Sequence, residues 1–551
     1  MSSAVEPLRY PNFRWLWSGT VLSSLGTFVQ TVAASWLMYE LTRSNTWVGL
    51  IVASSTLPLL FFSLTAGALA DRFDRPKLML IAQTVMGGAA AAMAVLTFLD
   101  LITPALLLTL GLILGTGFAL NLPSWQALVP DLVPRNLVTS AVALNSAAFN
   151  AARAIGPAIG GVLLAVYGAE AGFAFNALSY VGIIVALIVI GPSLAGTAKE
   201  ASRSMRSAIS TGLRFARFTP SFRNLLALVS LFALTSAVVQ SVLPVHTDYL
   251  GGGEVAFGVL YGAMGLGALF GVLLRPQISK WVEGSWVPYT ITLFGASGIL
   301  LGLAPNVLVG GLAMFLAGLF WLLTLATLNA TAQLMSPSWI RGRAMSIYSL
   351  AFAGVIPIGS ILAGLLADQV GTPGSLLVFS TGAVALGLFA PRFHVPHVDA
   401  VVTPEFTEVS MPTHDDDETF EGGPVMVLNT WKIAESDFVE FTRVMNEVRL
   451  VRLSTGAYRW RLFRNTSEPT RITELMVLQS WEDHMAQHRR IDDAAAALLR
   501  RARDFDIEDG PRTRHLIAID VEDPSNFESL VAAHDEMHQT DGSIPQQDQG
   551  S

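Results

Sequence analysis

Long apolar runs and short polar connections alternate through the first 393 residues. Twelve runs are marked, at roughly 13–38, 47–70, 78–99, 104–126, 138–167, 171–191, 223–249, 255–274, 286–304, 306–334, 342–367 and 373–391. A helix rising about 1.5 Å per residue needs about 20 residues to cross a hydrocarbon layer of ~30 Å, so these lengths predict transmembrane helices. The expected fold is an all-α membrane protein with twelve spans. Pro58, Pro123, Pro157, Pro244 and Pro357 fall inside runs. In a membrane, neighbouring helices re-satisfy the backbone groups a proline frees, so these positions are expected to kink helices rather than end them.

The pattern changes after Arg392. Residues 394–421 hold Pro396, Pro404, Pro412 and the run Asp415–Glu418, a flexible linker composition. Strand periodicity then returns at Val425–Trp431, Ala457–Phe463, Ile472–Trp481 and His515–Val521, with helical patterns over Glu435–Leu453 and Glu482–Arg503. The order β-α-β-β-α-β predicts a small ferredoxin-like α+β domain. The expected domains are a six-helix bundle at 1–191, a basic linker at 192–222 and a second bundle at 223–393. An acidic flexible linker follows at 394–421, then the α+β domain at 422–522 and a disordered tail at 523–551.

Composition sharpens the division. The chain is 52% hydrophobic and only 14% charged, too apolar for an average soluble protein. Residues 1–393 carry 19 Lys+Arg against 12 Asp+Glu, and the remainder 15 against 30, so a basic membrane part precedes an acidic soluble one. With the amino terminus inside, the inner segments hold 17 Lys+Arg and the outer loops only Arg43. That asymmetry predicts cytoplasmic termini and a multi-pass protein of the inner (plasma) membrane. The first run is too long for a cleavable signal and reads as a retained helix. No cysteine is present, which excludes disulfides, thiolate metal sites and cysteine nucleophiles. No Gly-x4-Gly-Lys-Ser/Thr loop occurs, which disfavours ATP-driven transport by this chain. No cofactor, metal or nucleic-acid partner is expected.

Between the second and third runs lies a charge knot, Gly67-Ala68-Leu69-Ala70-Asp71-Arg72-Phe73-Asp74-Arg75-Pro76-Lys77. It resembles the loop joining helices 2 and 3 in the major facilitator superfamily, matching at Gly67, Leu69, Asp71, Arg72, Arg75 and Lys77. Asp74 stands where that family often has Gly, a variant associated with its drug- and siderophore-exporter branch. Two six-helix halves joined by a basic loop fit the same family, whose halves are parallel repeats holding substrate between them at mid-depth. The second copy of the knot, near Gly271–Lys280, lacks the acid. In the fifth run, Arg153-Ala-Ile-Gly156-Pro157-Ala-Ile-Gly160-Gly161 resembles the Gly-Pro-x-x-Gly-Gly element of drug exporters. The tail resembles antibiotic-biosynthesis-monooxygenase-type domains and the tail of transmembrane secretion effectors.

The resemblance implies a gating set of Gly67, Asp71, Arg72, Arg75, Arg135, Gly156, Pro157, Gly160 and Gly161. Asp71 would latch the cytoplasmic side near Arg341, a helix amino terminus being favourable for an anion. Gly156 and Gly160 lie four apart on one helix face, a spacing that lets two helices approach closely. Arg153 is the one cation deep in a run, and charges placed there face a cavity or a partner. It either binds an anionic substrate group or braces the Gly-Pro element. Gln30, Asn121, Asn150, Gln240, Asn329 and Gln333, with Gln126 and Asn145, are candidate cavity liners; Trp36, Phe61, Phe149, Trp321 and Phe352 are candidate apolar walls. No run centre carries Asp or Glu, so proton coupling is implied by the family and not by a visible relay. Glu40, Asp71, Asp131, His246, Asp248 and Asp368 are the titratable groups at helix ends.

These readings converge on a secondary transporter exporting an amphipathic small molecule (drug, metabolite or siderophore) by alternating access, with proton antiport. The same architecture also serves importers, and a membrane-anchored enzyme or sensor acting through the tail is the alternative from another class. The bilayer, the substrate and protons are the expected partners, with dimerisation through the tail a further one. The acidic tail is expected to dock on the basic central loop. His484 and His488 share a helix face but lack a third ligand in the sequence, which favours packing over metal binding.

Overall fold

The computed structural model describes residues 5–62, 74–194, 205–281, 285–337, 339–396, 424–508 and 510–518. Local sequence sets the first helices. Pro11 opens α1 (Pro11–Thr42), which ends where Arg43 turns left-handed at φ 52°. Ser44, Asp74 and Thr103 each accept a backbone N–H with the side chain, starting α2 (Asn45–Ser54), α3 (Arg75–Phe98) and α4 (Pro104–Leu128). There follow α5 (Val138–Tyr167), α6 (Ala169–Leu194), α7 (Met205–Phe218), α8 (Pro220–Tyr249), α9 (Glu254–Trp281), α10 (Val287–Gly302), α11 (Val307–Met335), α12 (Arg341–Ala353) and α13 (Ile356–Phe389).

Among the described residues, ten helical stretches are long and apolar enough to cross a membrane. The helix α10 is apolar but only 16 residues long. Arg341–Phe393 counts as one stretch of 53 residues, yet its path breaks after Ala353 and again at Gly371, where φ is 78°. A left-handed turn of that kind suits glycine, which has no Cβ to clash.

Two prolines behave differently from expectation. After Ser54 the chain makes a turn before helix resumes through Phe62, with Pro58 at the restart. Pro357 sits in the first turn of α13, after α12 has ended. A proline in a first turn forfeits no helical hydrogen bond, so both are better described as starting a segment than as bending one. Pro157 and Pro244 do lie inside α5 and α8.

The chain divides into two compact units, one of 1–202, 224–334 and 345–401, the other of 203–223, 335–344 and 402–551. The first is the apolar bundle. Its helices pack α1 on α5 and α6, α3 on α4 and α6, α5 on α9, α2 on α13 and α10 on α13. Large apolar side chains also face outward, Val189 at 72% exposure and Leu178 at 69% among them.

The second unit holds a four-stranded antiparallel sheet of β1 (Val425–Lys432), β2 (Arg459–Arg464), β3 (Arg471–Leu478) and β4 (Arg512–Ile517), in the order β2-β3-β1-β4. Alternate residues of β1 are buried, the period-two pattern of a half-covered sheet. α14 (Phe438–Thr455) joins β1 to β2, while α15 (Trp481–His488) and α16 (Asp493–Arg503) lie between β3 and β4. The single helix expected over 482–503 is therefore two. Asp492 accepts the Ala495 N–H and starts α16 afresh, so the chain turns over 489–492. Trp431, Phe441, Met445, Val448 and Ile472 fill the core beneath α14. The residues expected as a disordered tail, and nearly all of the acidic linker, lie outside the described residues.

Candidate transport site

The Gly-Pro element of α5 makes the closest helix contacts of the candidate site. A Cβ built on Gly156 would stand 2.6 Å from Phe28 Cβ, and one on Gly160 would stand 3.0 Å from the backbone of Val29, both on α1. Gly161, one position on, points to a different neighbour. It meets Gly258 of α9 backbone to backbone, and a Cβ on Gly258 would stand 2.6 Å from the Gly161 carbonyl oxygen. Two helices touch here with no side chain between them, which requires glycine on both. Gly258 is not marked by any motif; only the fold places it opposite Gly161.

A second contact of this kind joins α2 to α13. A Cβ on Gly49 would come within 2.5 Å of the Ser360 carbonyl oxygen, and one on Gly364 within 2.5 Å of the Asn45 carbonyl oxygen. Beside it, Asp368 of α13 receives the first turn of α2. Its Oδ1 accepts the Asn45 N–H at 2.9 Å and the Asn45 side-chain amide at 3.0 Å. Its Oδ2 accepts the Thr46 N–H at 3.1 Å and the Ser44 and Thr46 hydroxyls at 3.1 and 2.5 Å. A carboxylate at exposed helix N–H groups is a favourable arrangement. Nearby in sequence, Tyr39 donates its hydroxyl to Asp248 at 2.6 Å, and Trp36 packs on Phe257 with ring centroids 5.1 Å apart.

The remaining candidate residues are dispersed. Gln30 is buried, its Oε1 accepting from Asn176 of α6 at 2.5 Å. Asn121 accepts from Gln83 at 3.2 Å, tying α4 to α3. Gln333 donates to Asn329 at 2.7 Å along α11, and Gln240 is half-buried on α8. Arg153 is half-buried at the middle of α5, with its guanidinium 4.2 Å above the Trp321 ring and 5.4 Å from Phe352. Arg75 begins α3, and Arg135 begins a short turn at Arg135–Leu137. Gly67, Asp71 and Arg72 lie outside the described residues, as do the side chains of Arg135 and Asn150. His246 is buried on α8, its Nε2 2.9 Å from the Leu301 carbonyl and its Nδ1 3.0 Å from the Thr372 hydroxyl. A carbonyl only accepts, so these partners assign the proton to Nε2.

The second unit brings the tail onto the connectors. α7, the helical part of the basic central segment, packs against α14. Phe215 of α7 packs near Trp339, at 6.3 Å between centroids, and Arg490 lies 4.5 Å above the same Trp339 ring. Arg490 also donates to the Thr455 carbonyl at 2.7 Å and lies 3.8 Å from Asp483. Burial pushes the Arg214 guanidinium below its usual range, and Asp483 partly offsets this. The expected docking of tail on central segment is present: α7 packs on α14, Asp483 acts on Arg214 across the contact, and Phe215 and Arg490 share the Trp339 ring. The helix α7 was not expected; its buried Thr211, Phe215 and Ala216 fall at helical spacing and were the signal for it.

Two polar clusters lie in the tail itself. Glu474 is fully buried on β3 and accepts from Asn429 at 2.8 Å, Trp460 at 2.8 Å and Arg452 at 3.3 Å. A buried carboxylate needs such a complete set of donors. His484 Nε2 stands 3.0 Å from His515 Nε2 and 3.4 Å from His488 Nε2. Burial and the neighbouring imidazoles push His484 down to about 3, and burial with Arg452 pushes His488 down to about 4. Among the described residues no group of three or more His, Cys, Asp or Glu is placed to hold a metal ion.

Apolar helices of span length that meet on glycine make this part a membrane protein, and the family it matches is one of transporters and not of enzymes. The chain belongs to the transmembrane secretion effector family of the major facilitator superfamily, whose model matches residues 2–523. It is 26% identical over 377 residues to the staphyloferrin A transporter of Staphylococcus aureus, covering 68% of this chain and 94% of that one. It is 27% identical over 383 residues to the multidrug efflux pump Tap of Mycolicibacterium fortuitum, covering 67% and 92%. A solved D-xylose–proton symporter shares the fold, with a TM-score of 0.55 at 15% identity over 70% of this chain and 98% of that one.

Proposed function

We propose that this protein is a secondary exporter of amphipathic small molecules that works by alternating access and proton antiport. In this reading Arg341–Phe393 supplies two spans divided at Gly371, and α10 supplies one more, which gives twelve. They form halves at 1–191 and 223–393, with both termini in the cytoplasm and the outward apolar side chains against lipid. The similarity to a staphyloferrin A transporter and to a multidrug pump supports a drug, metabolite or siderophore as cargo.

The observation that carries the reading is the way the halves meet. Gly161 on Gly258, Gly49 on Ser360 and Gly364 on Asn45 are backbone contacts between the first and second halves. Surfaces without interlocking side chains can slide or rock at little cost in packing, whereas interdigitated cores switch only between discrete fits. The Asp368 cluster and the Tyr39–Asp248 bond lie at the outer ends of their helices in this topology. They would close the outer side, while Asp71 with Arg72, Arg75 and Arg135 latches the inner side in the opposite state.

The strand order β2-β3-β1-β4 with helices after β1 and β3 supports a ferredoxin-like tail. Gripping the central segment and the loop before α12, that domain has a regulatory role, and dimerisation through it remains part of the proposal. The test is flux into proteoliposomes carrying an imposed proton gradient and no ATP, with ethidium as the probe. Gradient-dependent ethidium movement against its own gradient is expected. Movement that ignores the proton gradient removes antiport, and no movement of any amphipathic dye removes the exporter reading.

A further inference from the structure

Arg153 has a place in the bundle that packing alone does not account for. It sits mid-helix on α5, while Trp321 belongs to α11 and Phe352 to α12, so three helices converge on one guanidinium. Among the described residues it makes no hydrogen bond and no ion pair. The residue nonetheless remains partly accessible. A charged arginine at the centre of a membrane helix is costly and is kept only where something compensates it. A cation beside an aromatic ring recovers only part of that cost. The two rings lie 4.2 and 5.4 Å from the guanidinium carbon and offer no oxygen or nitrogen acceptor to its five N–H donors.

A structural brace would use those donors. The helix even offers an acceptor, because Pro157 has no N–H to give the Arg153 carbonyl four residues back. Among the described residues the guanidinium finds no such acceptor. A planar fork whose donors have no partner among the described residues, beside two aromatic rings, is complementary to a carboxylate joined to an apolar body.

We infer that Arg153, Trp321 and Phe352 form an anion subsite, in which the transported molecule presents a carboxylate to the guanidinium edge and its apolar portion to the two rings. This deepens the exporter reading and rests on it. The Arg153 carbonyl adds an acceptor for a hydroxyl or amide N–H near that carboxylate.

The test uses the full chain in lipid nanodiscs with two fluorescent probes, dansylamino-undecanoic acid and its primary amide. Wild type is expected to bind the acid at least ~10-fold more tightly than the amide, the scale of a charge-assisted pair. Arg153→Gln should abolish that preference and leave amide binding within about twofold, and Arg153→Lys should keep part of it. Trp321→Ala should weaken both probes together. The inference is overturned if wild type binds the acid no better than the amide or not at all. It is also overturned if Arg153→Gln keeps the preference, or loses both probes equally, which is the behaviour of a brace. Ethidium flux in the same preparations reports on the exporter reading separately, since ethidium is a cation and does not need the subsite.

Discussion

At the scale of single residues, the sharpest consequence concerns Gly161. One methyl there would collide with the backbone of Gly258, which has no side-chain end to move aside. Gly161→Ala is expected to lower dye efflux at least ~10-fold at normal expression, because the contact cannot close without separating α5 from α9. Wild-type efflux in that variant would show that the two backbones part freely. Gly160→Ala, set against Val29 at 3.0 Å, should show a milder loss. Asp71→Asn is likewise expected to cut efflux strongly in the same assay, and an unchanged rate would remove Asp71 from the latch. The tail histidines make a pH prediction. His484 and His488 bind protons less readily when folded, at about 3 and about 4, than in an unfolded chain near 6.5. The unfolded tail therefore takes up protons first on acidification. Their contribution to stability is full above about pH 6.5 and falls steadily as the pH drops toward 4. Tail melting followed by Trp fluorescence at pH 7.5 and pH 5 should show a clear drop in Tm, and His484→Gln should reduce that drop.

At the scale of elements, the grip of the tail on α7 and on the loop before α12 runs through Trp339, which Phe215 approaches and Arg490 covers. Trp339→Ala removes both contacts and leaves Arg490 its bond to Thr455. Hydrogen exchange across 205–218 is expected to rise about 10-fold or more in that variant, corresponding to ~1.4 kcal/mol of lost docking. If the ring contacts at Trp339 outweigh the attraction of Asp483 for Arg214, raising salt from 0.1 to 0.5 M should change that exchange little in the wild type. A strong salt effect would return the docking to simple attraction between acidic and basic surfaces. The split of the expected 482–503 helix belongs to this scale as well. The Asp492 cap restarts the helix and lets Arg490 turn back toward Trp339.

At the scale of the whole molecule, Asp368 holds the first turn of α2 to α13 through five donors. Asp368→Asn keeps the shape but replaces charge-assisted bonds with weaker ones and puts a donor where acceptors are needed. The population is expected to shift toward the state open on that side. The natural absence of cysteine makes this directly measurable. A single cysteine at Gln240 should react with an external, impermeant maleimide several-fold faster in the Asp368→Asn background, and an equal rate would remove Asp368 from the closure. Substrate transport should slow in the same variant, since a state favoured too strongly delays the return half of the cycle.

Much of this protein was legible along the chain. Apolar runs of span length, the charge knot before Lys77 and the switch to period two after Val425 each follow from local chemistry: apolar segments seek lipid, charges stay in water, and alternating residues make a half-covered sheet. The Gly156–Gly161 element was also readable, because glycine spacing on a helix is a local property. What lies against those residues was not. That Gly161 meets Gly258, that Asp368 receives α2, that Gln30 is taken up by Asn176 and that Arg153 is left to Trp321 and Phe352 all join residues far apart in the chain. Periodicity tells a helix which face to bury and is silent on which distant helix will cover it, so those pairings were decided only when the helices packed.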